Sequence, residues 1–190
     1  MLELELIKKL QVGHHSAFKE LFQTYSAMVF NVCFRMLGNQ QEAEDVTQDV
    51  FFKVYKSVRQ FRCESKLSTW LYRIAINFCL DYQRRKKRER LLSLDFIFEN
   101  PGQEECGVVA ASEDGLDAML EKSEIERIVQ NAINSLPKHQ RVALTLQMYE
   151  GLPYQEIAEV MNCSVASVES RLHRAKQNLY KKLSPLIKDL

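Results

Sequence analysis

The first hundred residues contain no proline and only two glycines, Gly13 and Gly38. A β-rich fold needs frequent turns, and turns draw on these residues, so this half of the chain is restricted to helices. The apolar spacing agrees. Phe18, Leu21, Phe22, Tyr25, Val29, Val32, Cys33 and Met36 recur at steps of three and four, which is one helical stripe. Gly38 follows in the usual C-terminal place. A shorter helix is expected from Glu3 to Leu10. A third runs from Gln41 to Gln60 with Val46, Val50, Phe51, Val54, Tyr55 and Val58 inward. A fourth starts at Ser68 as N-cap and passes through Trp70, Leu71, Ile74, Phe78 and Leu80 into a basic tail. Four such helices with short connections predict a compact bundle.

Charge divides the chain further. Residues 1–90 carry 16 Lys and Arg against 10 Asp and Glu, residues 91–123 one against eight, and residues 124–190 nine against seven. The acidic middle also gathers Pro101, Gly102, Gly107 and Gly115, the composition of a flexible linker. The expected class is therefore all-α: an N-terminal helical domain over 1–90, a linker from Leu91 to Ala118, and a C-terminal helical domain over 119–190. In the last, helices are expected from Leu120 to Asn134, from Pro137 to Gly151, from Pro153, and after Ser164. Apolar residues make up 46% and charged residues 27%, enough for a buried core.

Several classes are disfavoured. No apolar run approaches the ~18 residues of a membrane span, and the N-terminus lacks the order of a secretory signal, so a cytoplasmic site of action is expected. The five cysteines are odd in number and none has CxxC spacing, so neither a disulfide framework nor a metal site is expected; Cys33 and Cys79 read as small core residues. No P-loop occurs, Asp45 and Asp49 have no neighbouring His, and no cofactor or enzymatic activity is expected.

The segment YQEIAEVMNCSVASVESRLHRAKQ has helix–turn–helix spacing. Ala158 is small where two helices must approach, Asn162 tolerates the left-handed turn conformation, and Val168 anchors the second helix. That helix would lie in a major groove with its N-terminal half at base edges. Glu169, Ser170, His173 and Arg174 share one face; Arg174 can grip guanine bidentately, whereas Arg171, Lys176, Lys181 and Lys182 suit phosphates.

The N-terminal block has another signature. The run QRRKKRER holds six bases in eight residues and extends a helix bearing Trp70, Tyr72, Arg73, Asn77 and Tyr82. Interleaved aromatic and basic side chains suit unstacked bases, and the polar loop FRCESK before it can receive an extruded base. On the preceding helix, Glu42, Asp45, Gln48 and Asp49 form either a solvated face or a docking edge for a basic partner helix, with Val46, Val50 and Phe51 setting its angle.

The two blocks, in this order, resemble a bacterial RNA polymerase sigma factor of the extracytoplasmic-function (ECF) class of the sigma-70 family. EAEDVTQDVFFKVY resembles the family's core-polymerase-binding helix, FRCESKLSTWLYRIAINFCLDYQRRKK its −10 reading and melting segment, and LPKHQRVALTLQMYEGLPYQEIAEVMNCSVASVESRLHRAK its −35 reading domain. The resemblance implies that Glu42, Asp45, Gln48, Asp49 and Phe52 dock on the β′ clamp helices. It implies a −10 set of Phe61, Arg62, Cys63, Glu64, Ser65, Lys66, Trp70, Arg73, Asn77, Asp81, Arg84 and Arg85. It implies a −35 set of Ser164, Ser167, Glu169, Ser170, Arg171, His173, Arg174 and Lys176, with the C-terminal domain on the β flap. The partners implied are core RNA polymerase, duplex −35 and single-stranded −10 promoter DNA, and an anti-sigma factor, usually membrane-anchored. Three positions depart from the family pattern: Cys63 where Gly is frequent, Pro153 in place of a Ser cap, and Glu169 where a basic residue is frequent. The alternative reading is a conventional helix–turn–helix regulator that does not join polymerase.

Overall fold

The computed structural model describes the backbone of residues 2–99 and 127–187, and the side chains of residues 3–92 and 127–185. Among the described residues there is no strand. The N-terminal half comprises α1 (Leu2–Val12), α2 (His15–Leu37), α3 (Gln40–Ser57), a 3-10 turn (Val58–Gln60) and α4 (Leu67–Glu99). The C-terminal half comprises α5 (residues 127–134), α6 (Lys138–Met148), α7 (Tyr154–Met161) and α8 (Val165–Ile187).

Helix ends follow from local chemistry. Gly38 takes φ 72° and donates its N–H to Phe34 O; a Cβ there would also meet Asn134 Nδ2 at 2.8 Å, so the same glycine stops α2 and admits α5. The Asn39 side chain caps α3 by accepting from the Glu42 N–H at 2.9 Å. For α4 the expected Ser68 cap is corrected. The helix begins one residue earlier, and the orphan Leu67 N–H donates to Glu3 Oε1 of α1 at 3.1 Å, so a carboxylate from a distant helix does the capping. Gln11 of α1 also donates to Phe61 O at 2.8 Å. The short first helix thereby holds the loop that leads into α4.

The bundle core is built from Leu21, Val29, Val32 and Met36 of α2, Val46, Val50 and Val54 of α3, and Leu67, Leu71 and Ala75 of α4, all nearly inaccessible. Cys33 and Cys79 are free thiols buried in the same core. Two residues of the expected inward stripes do not follow them. Phe22 is 45% exposed and Tyr55 55% exposed, because each packs edge-on at the rim, against Phe51 and Phe18 respectively, which covers one side of a ring only.

In the C-terminal half, α6 is buried on every side from Arg141 to Leu146. It lies between α2 on one side and α7 and α8 on the other, so no polar face is retained. Pro137 and Pro153 both stand just outside their helices, at the N-cap positions. Buried side chains of both halves form one continuous cluster.

The expected linker boundary at Leu91 falls inside α4, which continues to Glu99. Residues 91–99 contain neither Gly nor Pro to stop it, the first proline being Pro101. The rest of the expected linker lies outside the described residues, as does Cys106. No described helix is long and apolar enough to cross a membrane.

Candidate nucleic-acid interface

The helix–turn–helix geometry is set by the turn between α7 and α8. Asn162 adopts φ 50° and ψ 56°, and Cys163 N–H donates to Ala158 O at 3.0 Å, which satisfies the end of α7. Ala158 is 5% exposed, and Val168 and Ile157 are fully buried between the two helices. The Ser164 hydroxyl accepts from the Ser167 N–H at 3.2 Å and so caps α8, a structural task beside its expected place at the DNA. Glu169, Ser170, His173, Arg174 and Lys176 are exposed together on the outer face. Gln177 lies 3.0 Å from His173 Nε2 and restrains the ring. Arg171 is partly withdrawn: it is half-buried and donates to Cys163 Sγ at 3.2 Å and toward Met161 Sδ, bracing the turn.

The second surface lies along α4 and the loop before it. Trp70, Arg73, Asn77, Asp81 and Arg84 follow one another at steps of three and four, on one side of the helix. Arg73, Asn77, Asp81, Arg84 and Arg85 are exposed. Asp81 pairs with Arg84 at 3.1 Å, an exposed pair that contributes little. Beside Trp70 opens a cavity of about 540 Å³ lined by Phe61, Arg62, Glu64, Ser65, Trp70 and Arg73 among others. Phe61 corrects the expectation of a base-contacting ring: it is 6% exposed and stands against Trp70 with centroids 5.0 Å apart, forming the floor of the cavity. Cys63 has φ 56°, in the left-handed region where an L-residue costs roughly 1–2 kcal/mol; this accounts for glycine being frequent there in the family that the sequence resembles. Tyr72 is not available for stacking. It is buried and its hydroxyl donates to Glu150 Oε2 at 2.7 Å; burial first, then that hydrogen bond, raises its pKa.

The third surface is the outer face of α3. Asp45, Gln48, Asp49 and Phe52 are all exposed at helical spacing, with Phe52 60% accessible and Lys56 Nζ 3.8 Å above its ring. This is an acidic strip beside an apolar anchor. Glu42 does not join it. Its side chain is mostly covered and paired with Lys86 of α4, because α3 and α4 pack side by side there.

What the sequence does not indicate is how the halves touch. Lys66 pairs with Glu156 at 2.6 Å, which raises the lysine pKa. Arg73 Nη2 donates to Glu159 O at 2.8 Å. Arg35 lies 4.2 Å from the centre of the Tyr149 ring. Arg141, 8% exposed, donates to Gln83 Oε1 at 2.6 Å and to Asn134 O at 3.0 Å. Burial makes its proton easier to lose. Gln83, read in the sequence only as the first residue of the basic run, is the polar bridge, since its amide nitrogen donates to Met36 O at 2.7 Å. No group of His, Cys, Asp and Glu able to hold a metal occurs among the described residues.

Comparison with known proteins gives the arrangement its family. Residues 21–89 match the Sigma-70 region 2 family, and residues 126–179 match the Sigma-70, region 4 family. The chain is 36% identical over 182 residues to the ECF RNA polymerase sigma-E factor of Haemophilus influenzae, covering 96% of this chain and 95% of that one. It is 34% identical over 185 residues to the ECF RNA polymerase sigma factor SigW of Bacillus subtilis, covering 95% of this chain and 96% of that one. Among solved structures, it superposes with a TM-score of 0.67 on CnrH in complex with the cytosolic domain of CnrY, at 21% identity over 96% of this chain and 97% of that chain. It superposes with a TM-score of 0.63 on the sigma factor RpoE in complex with the anti-sigma factor NepR from Bartonella quintana, at 24% identity over 88% of this chain and 96% of that chain. The chain belongs to the extracytoplasmic-function class of the sigma-70 family of RNA polymerase sigma factors.

Proposed function

We propose that the chain is a dissociable, non-catalytic specificity subunit whose three surfaces divide the work of promoter recognition. The acidic and apolar strip of α3 (Asp45, Gln48, Asp49, Phe52) docks on the β′ clamp helices. The outer face of α8 reads duplex at −35, with Arg174 on a base edge and Lys176 on phosphate. The face of α4 and its cavity take the −10 strand: Trp70 offers a stacking surface, Arg62 and Arg73 neutralise phosphate, Asn77 meets a base edge, and the 61–66 loop encloses one extruded base.

Opening needs no nucleotide hydrolysis. A surface that binds unpaired strand and not duplex shifts the equilibrium toward the open form by its differential affinity. The two weak reading sites act together because polymerase holds them at a high effective concentration. The observation that carries this reading is the cavity beside Trp70 on the same helix face as Arg73 and Asn77; a regulator that reads only duplex has no use for it. The C-terminal half rests on the β flap, and the acidic middle segment threads the basic channel of the polymerase. A membrane-anchored anti-sigma factor that covers the α3 strip is the natural antagonist, in line with the anti-sigma complex reported for the Bartonella protein. The site of action is the cytoplasm, with the polymerase.

The test is co-elution with core polymerase, followed by run-off transcription. Stable co-elution and promoter-dependent transcripts are expected. A dimer that binds palindromic duplex and never joins core would instead establish a conventional regulator.

A further inference from the structure

One corner of the N-terminal half has no task in promoter recognition. It lies where the turn between α1 and α2 meets the end of α3 and the 3-10 turn. It opens as a cavity of about 250 Å³ lined by Gly13, His14, Phe18, Tyr55, Lys56 and Arg59 among others, with no aspartate or glutamate in the lining. Two rings form one wall. Phe18 stands edge-on to Tyr55 with centroids 5.1 Å apart, and Tyr55 is 55% exposed, so one face of its ring is open for stacking.

The cations on this corner differ from those near α4. Lys66, Arg84 and Lys86 are each paired with a carboxylate, whereas Arg59 has no hydrogen bond or ion pair with any described residue. Gly13 makes room for it. Its φ is 91°, and a Cβ there would meet Arg59 Nη2 at 2.9 Å, so the guanidinium lies close over the α1–α2 turn. Lys56 has only the Phe52 ring, 3.8 Å from Nζ, a weak contact at an exposed position that a phosphate oxygen outcompetes. α2 begins on the same corner with no acid in its first turn and no side-chain cap from His14, which leaves its N–H groups and the positive end of its dipole unopposed.

These features select a ligand with two parts. A dianion with several oxygens matches a guanidinium, an ammonium and free N–H groups better than a single carboxylate does. A flat ring beside it matches the open face of Tyr55. The volume lies at the lower end of ligand pockets and suits one such unit, not a chain of them. We propose that this corner is a binding site for a free nucleoside monophosphate, with the phosphate at Arg59 and Lys56 and the base on Tyr55. None of its residues belongs to the sets assigned to core polymerase or promoter DNA. A DNA strand carries the same ring and phosphate, and Arg59 adjoins Gln60, which lines the cavity beside Trp70. The test therefore separates the two sources.

The full chain is dialysed to equilibrium against radiolabelled AMP, with adenosine and inorganic phosphate as competitors, and in parallel against a labelled random strand of about 12 nucleotides. Saturable binding of AMP is expected, with adenosine and phosphate each about tenfold weaker or more. Arg59→Gln changes an exposed side chain that holds nothing in place, and should weaken AMP about tenfold. Tyr55→Leu should weaken it about fivefold, and Lys138→Gln on α6 not at all, with native helix content in all three by circular dichroism. No saturable binding, phosphate competing as well as AMP, or an Arg59→Gln chain that binds AMP like wild type would each overturn the site. Binding of the strand but not of AMP, lost with Arg59→Gln, would give the corner to DNA and equally overturn it as a nucleotide site.

Discussion

On α8, Glu169, Ser170, His173 and Arg174 are exposed to solvent. On α4 and at the residue before it, Arg73 and Lys66 are engaged by α7, Tyr72 is buried and donates to Glu150, and Gln83 accepts from Arg141. The difference follows from what each face must bind. A helix that reads duplex presents small polar and charged groups that water solvates well. A helix that reads unpaired bases needs a half-exposed tryptophan beside cations, a surface that in the free protein attracts any acidic or apolar neighbour. The chain covers that surface with its own second half. The outer face of α8 is thus exposed in the free chain, whereas cations of the α4 face already have partners on α7.

The largest effect should come from neither reading face. Asp49→Arg reverses a charge on the docking strip and should weaken binding to core polymerase by about thirtyfold or more, measured by fluorescence titration of labelled chain; unchanged affinity would reduce the strip to a solvated face. Arg174→Ala should cost about 1–3 kcal/mol at one −35 base pair. A uniform loss across all −35 sequences would move Arg174 to phosphate contact, and the α8 face would lose its claim to readout. Asn77→Ala should reduce discrimination at one −10 position by about fivefold, near the lower end of what a stacked or hydrogen-bonded base contributes, with core binding intact. If all −10 variants are transcribed alike before and after the change, Asn77 leaves the α4 face.

Smallest of all is a backbone contrast. Asn162→Ala should destabilise the C-terminal half by about 1 kcal/mol, because alanine pays the left-handed penalty that asparagine partly escapes. Cys63→Gly should be neutral or slightly stabilising for the opposite reason, read by denaturant melting of both variants.

The sequence made the helices legible because each rests on a short-range signal: apolar steps of three and four in α2 and α3, Gly38 and Asn162 at positive φ, Ala158 and Val168 at the helix crossing. The exposed outer face of α8 was legible for the same reason, since four exposed residues on one helix need no partner to be recognised. Expectation failed where a distant group decided the outcome. Ser68 lies inside α4, and Glu3 of α1 accepts from the Leu67 N–H at the helix start. Glu42 left the docking strip for Lys86. Phe61 became a floor for Trp70, and Tyr72 was taken by Glu150, 78 residues away. Periodicity describes one helix at a time and carries no information on which side chain of another helix will meet it.

The most direct measurement is selection of transcripts from a library with the upstream region randomised, using core polymerase and the purified chain. The account predicts two short enriched blocks at fixed separation, one set by α8 near −35 and one by α4 near −10. Enrichment of a single palindrome, or of no sequence at all, would contradict it.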